Sequence, residues 1–316
     1  MSLEGFSQTY NGRDYVVKDV SFGVKKGEIF GLLGKNGAGK TTTIKVLTTL
    51  LRPSKGKITV LGQDVTKYGH EIRKRIGVVQ QEVSFEYTTV KENFDLYGFL
   101  WGVPKETREK RRNELVKMFG LQELLKTSAW DLSGGQKRRV QVAREFVHDM
   151  DLVFLDEPTV GLDPIMRRKI LDLLKEKAKN EGLTILFTTH NLEEADYLCD
   201  RIAIMDRGKI LALDTAENLK RIYGETKAIE ISLSSGENSS SLPYDSFFSR
   251  LRIVHPDIEI TKQPEGSNPA VIVSKEPEKV IGTVIALTSE LRLKLEWLNI
   301  RKSTLEDVFI QTVSED

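Results

Sequence analysis

Short apolar runs alternate with longer helical patterns along the first two thirds of the chain. Ile29–Leu33, Ile58–Leu61, Ile76–Val79, Leu152–Leu155, Leu183–Phe187 and Ile202–Met205 are brief and mostly apolar, which suits strands buried on both faces. Between the last three, Pro164–Lys179 sets Ile170, Leu171, Leu174 and Ala178 at helical spacing. Asp163 stands there as an N-cap and Pro164 at the first helical position. Strands alternating with helices predict an α/β fold with a mainly parallel sheet. Past residue 224 the rhythm changes to strand 227–233, helix 243–252, strands 257–262 and 269–274, helix 277–290, strand 291–299 and a last helix from Ser303. The order βαββαβ plus a helix predicts a small α+β unit, compatible with a ferredoxin-like arrangement. Two domains are therefore expected, residues 1–222 and 225–316, with Ser234–Ser241 a surface loop inside the second.

Charge sharpens this division. The 316 residues carry 47 Lys and Arg against 46 Asp and Glu, but residues 225–316 hold 10 against 15 and residues 1–224 hold 37 against 31. Of 24 glycines, 21 lie before residue 225, so turns that need bare backbone belong to the first part. Near-neutrality offers no whole-chain basic field for nucleic acid. No stretch approaches the ~18 apolar residues that span a bilayer, and the N-terminal region lacks a signal-peptide pattern, which predicts a cytoplasmic chain. Cys199 is the only cysteine, so no internal disulfide can form.

Gly34-Lys35-Asn36-Gly37-Ala38-Gly39-Lys40-Thr41 fits G-x-x-x-x-G-K-[ST] at every position. The strand Ile29–Leu33 enters it and a helix, Thr41–Leu50, leaves it. Its glycines let successive N–H groups converge on phosphate, Lys40 adds a point charge at the β- and γ-phosphates, and the Thr41 hydroxyl is placed for Mg²⁺. Asn36, Ala38 and Thr42 belong to the same cradle. Leu152-Val153-Phe154-Leu155-Asp156-Glu157 is a strand ending in two acids, at the end where such sheets bind ligands. Asp156 would accept Mg²⁺ and Glu157 would polarise a water aimed at the γ-phosphate. Leu132-Ser133-Gly134-Gly135-Gln136 reads as a capping box opening a helix, Lys137–Val147. Its paired glycines leave that helix terminus bare enough to approach another anion.

These runs, in this order, resemble the ATP-binding subunits of ABC transporters over about residues 1–220. Gly34–Thr41 resembles their Walker A loop, Leu152–Glu157 their Walker B strand and Leu132–Gln136 their signature. The resemblance implies a P-loop NTPase: a RecA-like core with an antiparallel β subdomain and an inserted helical subdomain at about 82–148. It also implies roles that spacing does not show. Gln81 stands where the family has its metal- and water-sensing glutamine; Gln80 replaces a common proline beside it, so either residue is a candidate. Asp163 matches the loop that crosses to the partner subunit, and His190 the histidine that contacts the γ-phosphate. Tyr10 matches the aromatic that stacks on adenine, with Tyr15 the other candidate. Glu145 and Phe146 depart from the family, which usually has small or aliphatic residues after the signature helix.

Such domains pair head to tail, each nucleotide lying between one Walker A loop and the other copy's signature. The resemblance thus implies a homodimer on ATP binding, ATP and Mg²⁺ as ligands, separate integral-membrane permease subunits, and a place on the inner face of the cell membrane. The inserted segment would receive the permease. Leu96, Phe99, Leu115, Met118, Phe119 and Leu124 form its apolar pattern, and Phe85, Tyr87, Phe94 and Tyr97 are aromatic candidates for that groove. Thr304-Leu305-Glu306-Asp307-Val308-Phe309 resembles the ending of exporter subunits that serve drug, lipid, polysaccharide or sodium efflux. Its plain reading is a capped helix burying Leu305, Val308 and Phe309. The alternative is a non-transport ABC ATPase of the DNA-repair or translation-factor type. The former inserts long coiled coils, whereas 91 residues without sustained heptads separate Lys40 from Leu132. The latter usually carries two ATPase modules on one chain. Lys105–Arg112 reads as a solvated helix face and Lys137-Arg138-Arg139 as support for nearby phosphate. His70, His148 and His255 lack metal-ligand spacing.

Overall fold

Five of the six apolar runs become parallel strands of one sheet. The computed structural model describes residues 1–82, 85, 88–222, 227–235, 242–261, 270–301 and 304–314, and divides into two units, Met1–Ala216 and Glu217–Asp316. The first opens with β1 (Ser2–Thr9) and β2 (Tyr15–Gly23); β3 (Ile29–Leu33) then runs through the glycine loop into α1 (Lys40–Leu47). There follow β4 (Lys55–Val60), β5 (Gln63–Asp64), α2 (Gly69–Arg73) and β6 (Ile76–Val79), and then α3 (Val90–Leu100), α4 (Lys105–Met118) and α5 (Gly134–Glu145). The remainder is β7 (Leu152–Asp156), α6 (Pro164–Glu181), β8 (Thr184–Thr189), α7 (Leu192–Leu198), β9 (Arg201–Asp206) and β10 (Lys209–Asp214), with α8 (Ala216–Ile222) at the boundary.

The large sheet has the order β10-β9-β3-β8-β7-β6, parallel except for β10. Every residue of β3, β7 and β8 is buried, which accounts for their unbroken apolar character. Their side chains alternate between two cores. Val153, Leu155, Ile185 and Phe187 pack with α5 and α6, and Phe30, Phe154 and Leu186 pack toward α1. Ile58–Leu61 departs from expectation. It lies at the end of β4, in a separate antiparallel sheet of order β2-β1-β4-β5. The exposed Lys55-Gly56-Lys57 before it marks a strand with one wet face, which an apolar tetrapeptide alone does not reveal.

The helical segment after β6 also revises the apolar pattern. Phe94, Leu115 and Phe119 are core residues and Leu124 is half-buried, but Leu96, Phe99 and Met118 are exposed. Lys105, Glu106, Glu109 and Lys110 are solvated as expected, whereas Arg112 is buried and paired with Asp95. No helix among the described residues is long and apolar enough to cross a membrane.

The second unit runs β11 (Lys227–Ser235), α9 (Leu242–Val254), β12 (Glu259–Thr261), β13 (Ala270–Ser274), α10 (Pro277–Glu290), β14 (Leu293–Arg301) and α11 (Leu305–Ser314). Its sheet has the order β12-β13-β11-β14, antiparallel throughout. Ile229, Ile231, Phe247, Leu251, Ile272, Val280 and Val284 form its core. Thr304 caps α11: its Oγ1 accepts the Asp307 N–H at 3.3 Å while the Asp307 carboxylate accepts the Thr304 N–H at 2.8 Å. Leu305 and Val308 are buried and Phe309 is half-buried.

Candidate active site

The sheet sets the carboxyl ends of β3, β8 and β7 side by side, with Leu33 in register with Thr189 and Thr188 with Asp156. The loops that leave them open on one crevice. After β3, Gly39 adopts φ 108°, a conformation that a side chain would strain, and delivers the backbone into α1. Lys40 Nζ folds over the loop and donates to the carbonyls of Gly34 at 2.7 Å and Lys35 at 3.1 Å. Burial lowers its pKa from the ordinary lysine value, opposed by the carboxylates of Glu157 and Asp156. Thr41 Oγ1 donates to Asp156 Oδ2 at 2.8 Å, and Thr188 Oγ1 donates to Oδ1 at 2.6 Å. Asp156 is thus fixed between a hydroxyl of the phosphate loop and one of the neighbouring strand.

Glu157 sits at φ 50°, a left-handed conformation uncommon for a residue with a side chain. Its N–H is held by both the carbonyl and the hydroxyl of Thr188, each at 3.1 Å, which stabilises the turn. Its carboxylate Oε2 lies 3.2 Å from His190 Nδ1. Glu157 lines a cleft of about 330 Å³ with Asn36, Gly37, Gly39, Lys40, Thr41, Thr42 and Gln81. Gly34 and Ala38 support the loop from beneath: Ala38 is buried, and a Cβ on Gly34 would fall 2.3 Å from the Met205 carbonyl oxygen.

Two pairs of candidates separate here. Gln81 faces the phosphate cleft, whereas Gln80 lines a different groove of about 240 Å³ together with Tyr97, Trp101, Gln141 and Arg144. Tyr10 keeps an exposed ring with its hydroxyl 3.2 Å from Thr42 Oγ1, while the Tyr15 ring has Lys55 Nζ over it at 5.1 Å. Of the aromatic residues expected to meet the permease, Tyr97 lines this second groove, Phe85 packs against the Arg144 guanidinium at 4.9 Å and Phe94 is buried in the core. Tyr87 lies outside the described residues.

The signature run is capped as the sequence implies. Gln136 N–H donates to Ser133 Oγ at 3.3 Å and Ser133 N–H to Gln136 Oε1 at 2.8 Å. The helix begins at Gly134 and not at Lys137, because Ser133 is itself the N-cap. A Cβ on Gly135 would lie 2.8 Å from the Gly161 carbonyl oxygen, so the second glycine permits contact with the loop before Asp163. Asp163 caps α6 by accepting the Met166 N–H at 2.9 Å, which holds its carboxyl below the usual range. Among the described residues, Ser133, Gly134, Gly135, Gln136 and Asp163 are all absent from the wall of the phosphate cleft.

The basic run after the signature makes its contacts within the chain, to backbone carbonyls and one aromatic ring. Arg138 is buried and donates to the carbonyls of Gln80 at 2.8 Å and Gln81 at 2.6 Å. Gln141 donates to the carbonyls of Gln80 at 3.2 Å and Glu82 at 3.0 Å. Lys137 lies over the Trp130 ring and Arg139 donates to the Phe119 carbonyl. The one available sign was that Arg138 and Gln141 share a helix face at i, i+3 spacing with one donor-rich side chain each.

A Walker-type loop, an acid pair at a strand end and a histidine on the intervening strand's loop, all on parallel strands of one sheet, define a P-loop nucleoside triphosphatase. Residues 17–160 match the family described as ABC transporter. Over 98% of its length the chain is 34% identical to 97% of the linearmycin resistance ATP-binding protein LnrL of Bacillus subtilis. It is 32% identical to the Nod factor export ATP-binding protein I of Ralstonia nicotianae, covering 100% of this chain and 94% of that one. A solved ATP-binding cassette, described as dimeric in a post-hydrolysis state with ADP and Pi bound, superposes with a TM-score of 0.63 at 28% identity, over 68% of this chain and 97% of that one. The chain belongs to the ABC transporter family, as an ATP-binding subunit with ATPase activity.

Proposed function

We propose that the chain hydrolyses ATP as a head-to-tail homodimer and so drives export through separate permease subunits. One observation carries the dimer: the phosphate cleft holds Lys40, Thr41, Gln81 and Glu157 but none of the exposed signature residues. A second copy can supply Ser133, Gly134, Gly135, Gln136 and Asp163 to that open side. Tyr10 stacks on adenine, and the loop N–H groups of Gly34–Thr42 with Lys40 hold the phosphates. Glu157 takes the proton of the attacking water, and His190, 3.2 Å from it, orients the carboxylate and reaches the γ-phosphate.

Mg²⁺ fits the donor set. Thr41 Oγ1 and Asp156 Oδ2 lie 2.8 Å apart and are hard oxygen ligands, and Thr41 and Gln81 line the same cleft. Among the described residues no cluster of three His, Cys, Asp or Glu could hold a metal; Thr41, Asp156 and Gln81 would hold the ion together with the nucleotide. When bound, the ion neutralises charge on the phosphate oxygens.

The groove beside Gln80, with Tyr97 and Trp101 in its wall, receives the permease. The subunit then sits peripherally on the inner face of the cell membrane and needs no nucleic acid. The full-length similarity to a Nod factor export protein and the Thr304–Phe309 ending support export over import. The unit containing residues 225–316 is an accessory, ferredoxin-like domain.

Glu157→Gln tests the reading. ATP binding should persist, turnover should fall by roughly 10²- to 10⁴-fold, and light scattering should detect an ATP-dependent dimer. A monomer that hydrolyses at the wild-type rate would overturn it. Ribosome or DNA co-purification in place of a membrane protein would favour the non-transport alternative.

A further inference from the structure

Glu194 is a carboxylate buried to 4% exposure in the first turn of α7, outside the phosphate cleft. Its Oε2 accepts hydrogen bonds from Thr159 Oγ1 at 2.8 Å and Thr189 Oγ1 at 3.0 Å. Its Oε1 lies 3.2 Å from Arg167 Nε, off the line of a hydrogen bond, so that contact is an ion pair. The three partners come from three different segments. Each stands within four residues of a group assigned above to the reaction or to the partner copy.

Thr159 follows Glu157 by two residues and anchors the turn toward Asp163: Val160 N–H donates to the Glu157 carbonyl at 3.3 Å and Leu162 N–H to the Thr159 carbonyl at 3.2 Å. Thr189 immediately precedes His190. Its hydroxyl gives its proton to Glu194 and accepts the Asn191 N–H at 2.9 Å, so the backbone on both sides of His190 is tied to one oxygen. Asn191 Oδ1 then caps α7 through the N–H groups of Glu193 at 3.0 Å and Glu194 at 3.3 Å. Arg167 lies in the first turn of α6, where its N–H donates to the Asp163 carbonyl at 3.0 Å.

We propose that Glu194 is a positioning residue that keeps the loops of Glu157 and His190 and the helix capped by Asp163 in one register. A buried carboxylate is an expensive way to fill space, and an apolar side chain would pack there more readily. What the carboxylate provides is two acceptor oxygens that reach three segments at once. Glu157 and His190 must hold their 3.2 Å contact while Glu157 stays in a strained backbone conformation; the Thr188 hydroxyl holds the Glu157 N–H directly, and Glu194 Oε2 accepts one hydroxyl from each of the two loops beyond it. The proposal rests on the roles assigned to Glu157, His190 and Asp163 above.

Thr159→Val removes one hydroxyl and keeps the shape, Thr159→Ser restores the hydroxyl, and Glu194→Gln keeps an acceptor but not the charge facing Arg167. All three leave Lys40 and Thr41 untouched. In the full chain, kcat for ATP should fall roughly 10- to 100-fold in Thr159→Val and Glu194→Gln, the loss expected when a catalytic group is displaced by about 1 Å. KM should stay within about twofold, and Thr159→Ser should recover most of kcat. The double variant should turn over no more slowly than the poorer single, since the two residues act as one unit. Nucleotide binding, measured on each variant, identifies folded protein. Turnover in Thr159→Val within about twofold of wild type, failure of Thr159→Ser to rescue, or a rise in KM that accounts for the loss would overturn the proposal. Glu157→Gln run alongside separates the two readings: if it too turned over normally, the assignment of the site itself would be wrong.

Discussion

Glu145→Gln should make the protein more stable above pH 7 and less stable near pH 5. Glu145 ends α5 in full burial, where Oε1 accepts the Tyr97 hydroxyl at 2.5 Å and Oε2 the Val78 N–H at 3.2 Å. Burial outweighs these bonds and the nearby Arg144, and pushes its pKa from 4.5 up to about 7. The folded chain therefore keeps a proton that the unfolded chain releases across that interval. The stabilising contribution is complete below about pH 4.5, declines as pH rises and levels off above about 7. The difference of about 2.5 corresponds to roughly 3 kcal/mol lost at alkaline pH. Glutamine carries no such slope. Its NH₂ replaces one of the two accepting oxygens, so either the Tyr97 hydroxyl must turn or the Val78 N–H bond weakens, at a cost of about 1–2 kcal/mol at every pH. Relative to wild type, the variant should be about 1 kcal/mol less stable at pH 5 and about 1–2 kcal/mol more stable at pH 8.5. Urea unfolding followed by circular dichroism at several pH values measures this difference, in which every other titrating group cancels. Parallel stability curves across the range would refute the argument.

Two further changes probe the site and the helical segment. Gly135→Ala puts a methyl group 2.8 Å from the Gly161 carbonyl oxygen, so either the signature turn or the loop of Asp163 must move. Nucleotide affinity should survive while phosphate release falls tenfold or more, on the order of a misplaced transition-state contact; unchanged release would mean that this contact does not matter. His148 is buried and stacks on Trp101 with ring centroids 4.3 Å apart, and desolvation lowers its pKa to about 4. Its stabilising contribution is thus complete above about pH 6.5 and is lost as pH falls toward 4. His148→Phe should keep the stack and gain about 2 kcal/mol over wild type at pH 5, read by thermal or urea unfolding.

The parts of the site that can be read along the chain are those whose residue types have little other use together. Lys40 and Thr41 after Gly39, and Asp156 with Glu157 at the end of an apolar run, are costly as a plain turn and a plain strand end. Ser133 and Gln136 are legible for a different reason, since a capping box is a local structure. Long-range partners are not legible. That Ile58–Leu61 pairs with β1 and not with β3 depends on contacts formed far along the chain. Helical spacing put Leu96 and Phe99 on a face but could not say whether anything covers it, and nothing within the described chain buries them. Gln80 and Gln81 are indistinguishable as letters; their separation follows from the strand end that turns one toward the phosphate loop and the other away.

The same long-range contacts give the signature helix a mechanical meaning that its motif does not contain. Arg138 and Gln141 make four hydrogen bonds to the carbonyls of Gln80, Gln81 and Glu82, and Glu145 accepts the Val78 N–H two residues before Gln80. Arg138, Gln141 and Glu145 are side chains of a single helix whose N-terminal turn presents Ser133 and Gly134 to solvent. With Arg138 and Gln141 buried, the bonds are shielded from competing water and are costly to break singly. A displacement of α5 must therefore carry the backbone of Gln80–Glu82 with it or forfeit all four. The signature turn, proposed above to meet a second copy, and the glutamine facing this chain's own phosphate cleft are thus parts of one hydrogen-bonded piece.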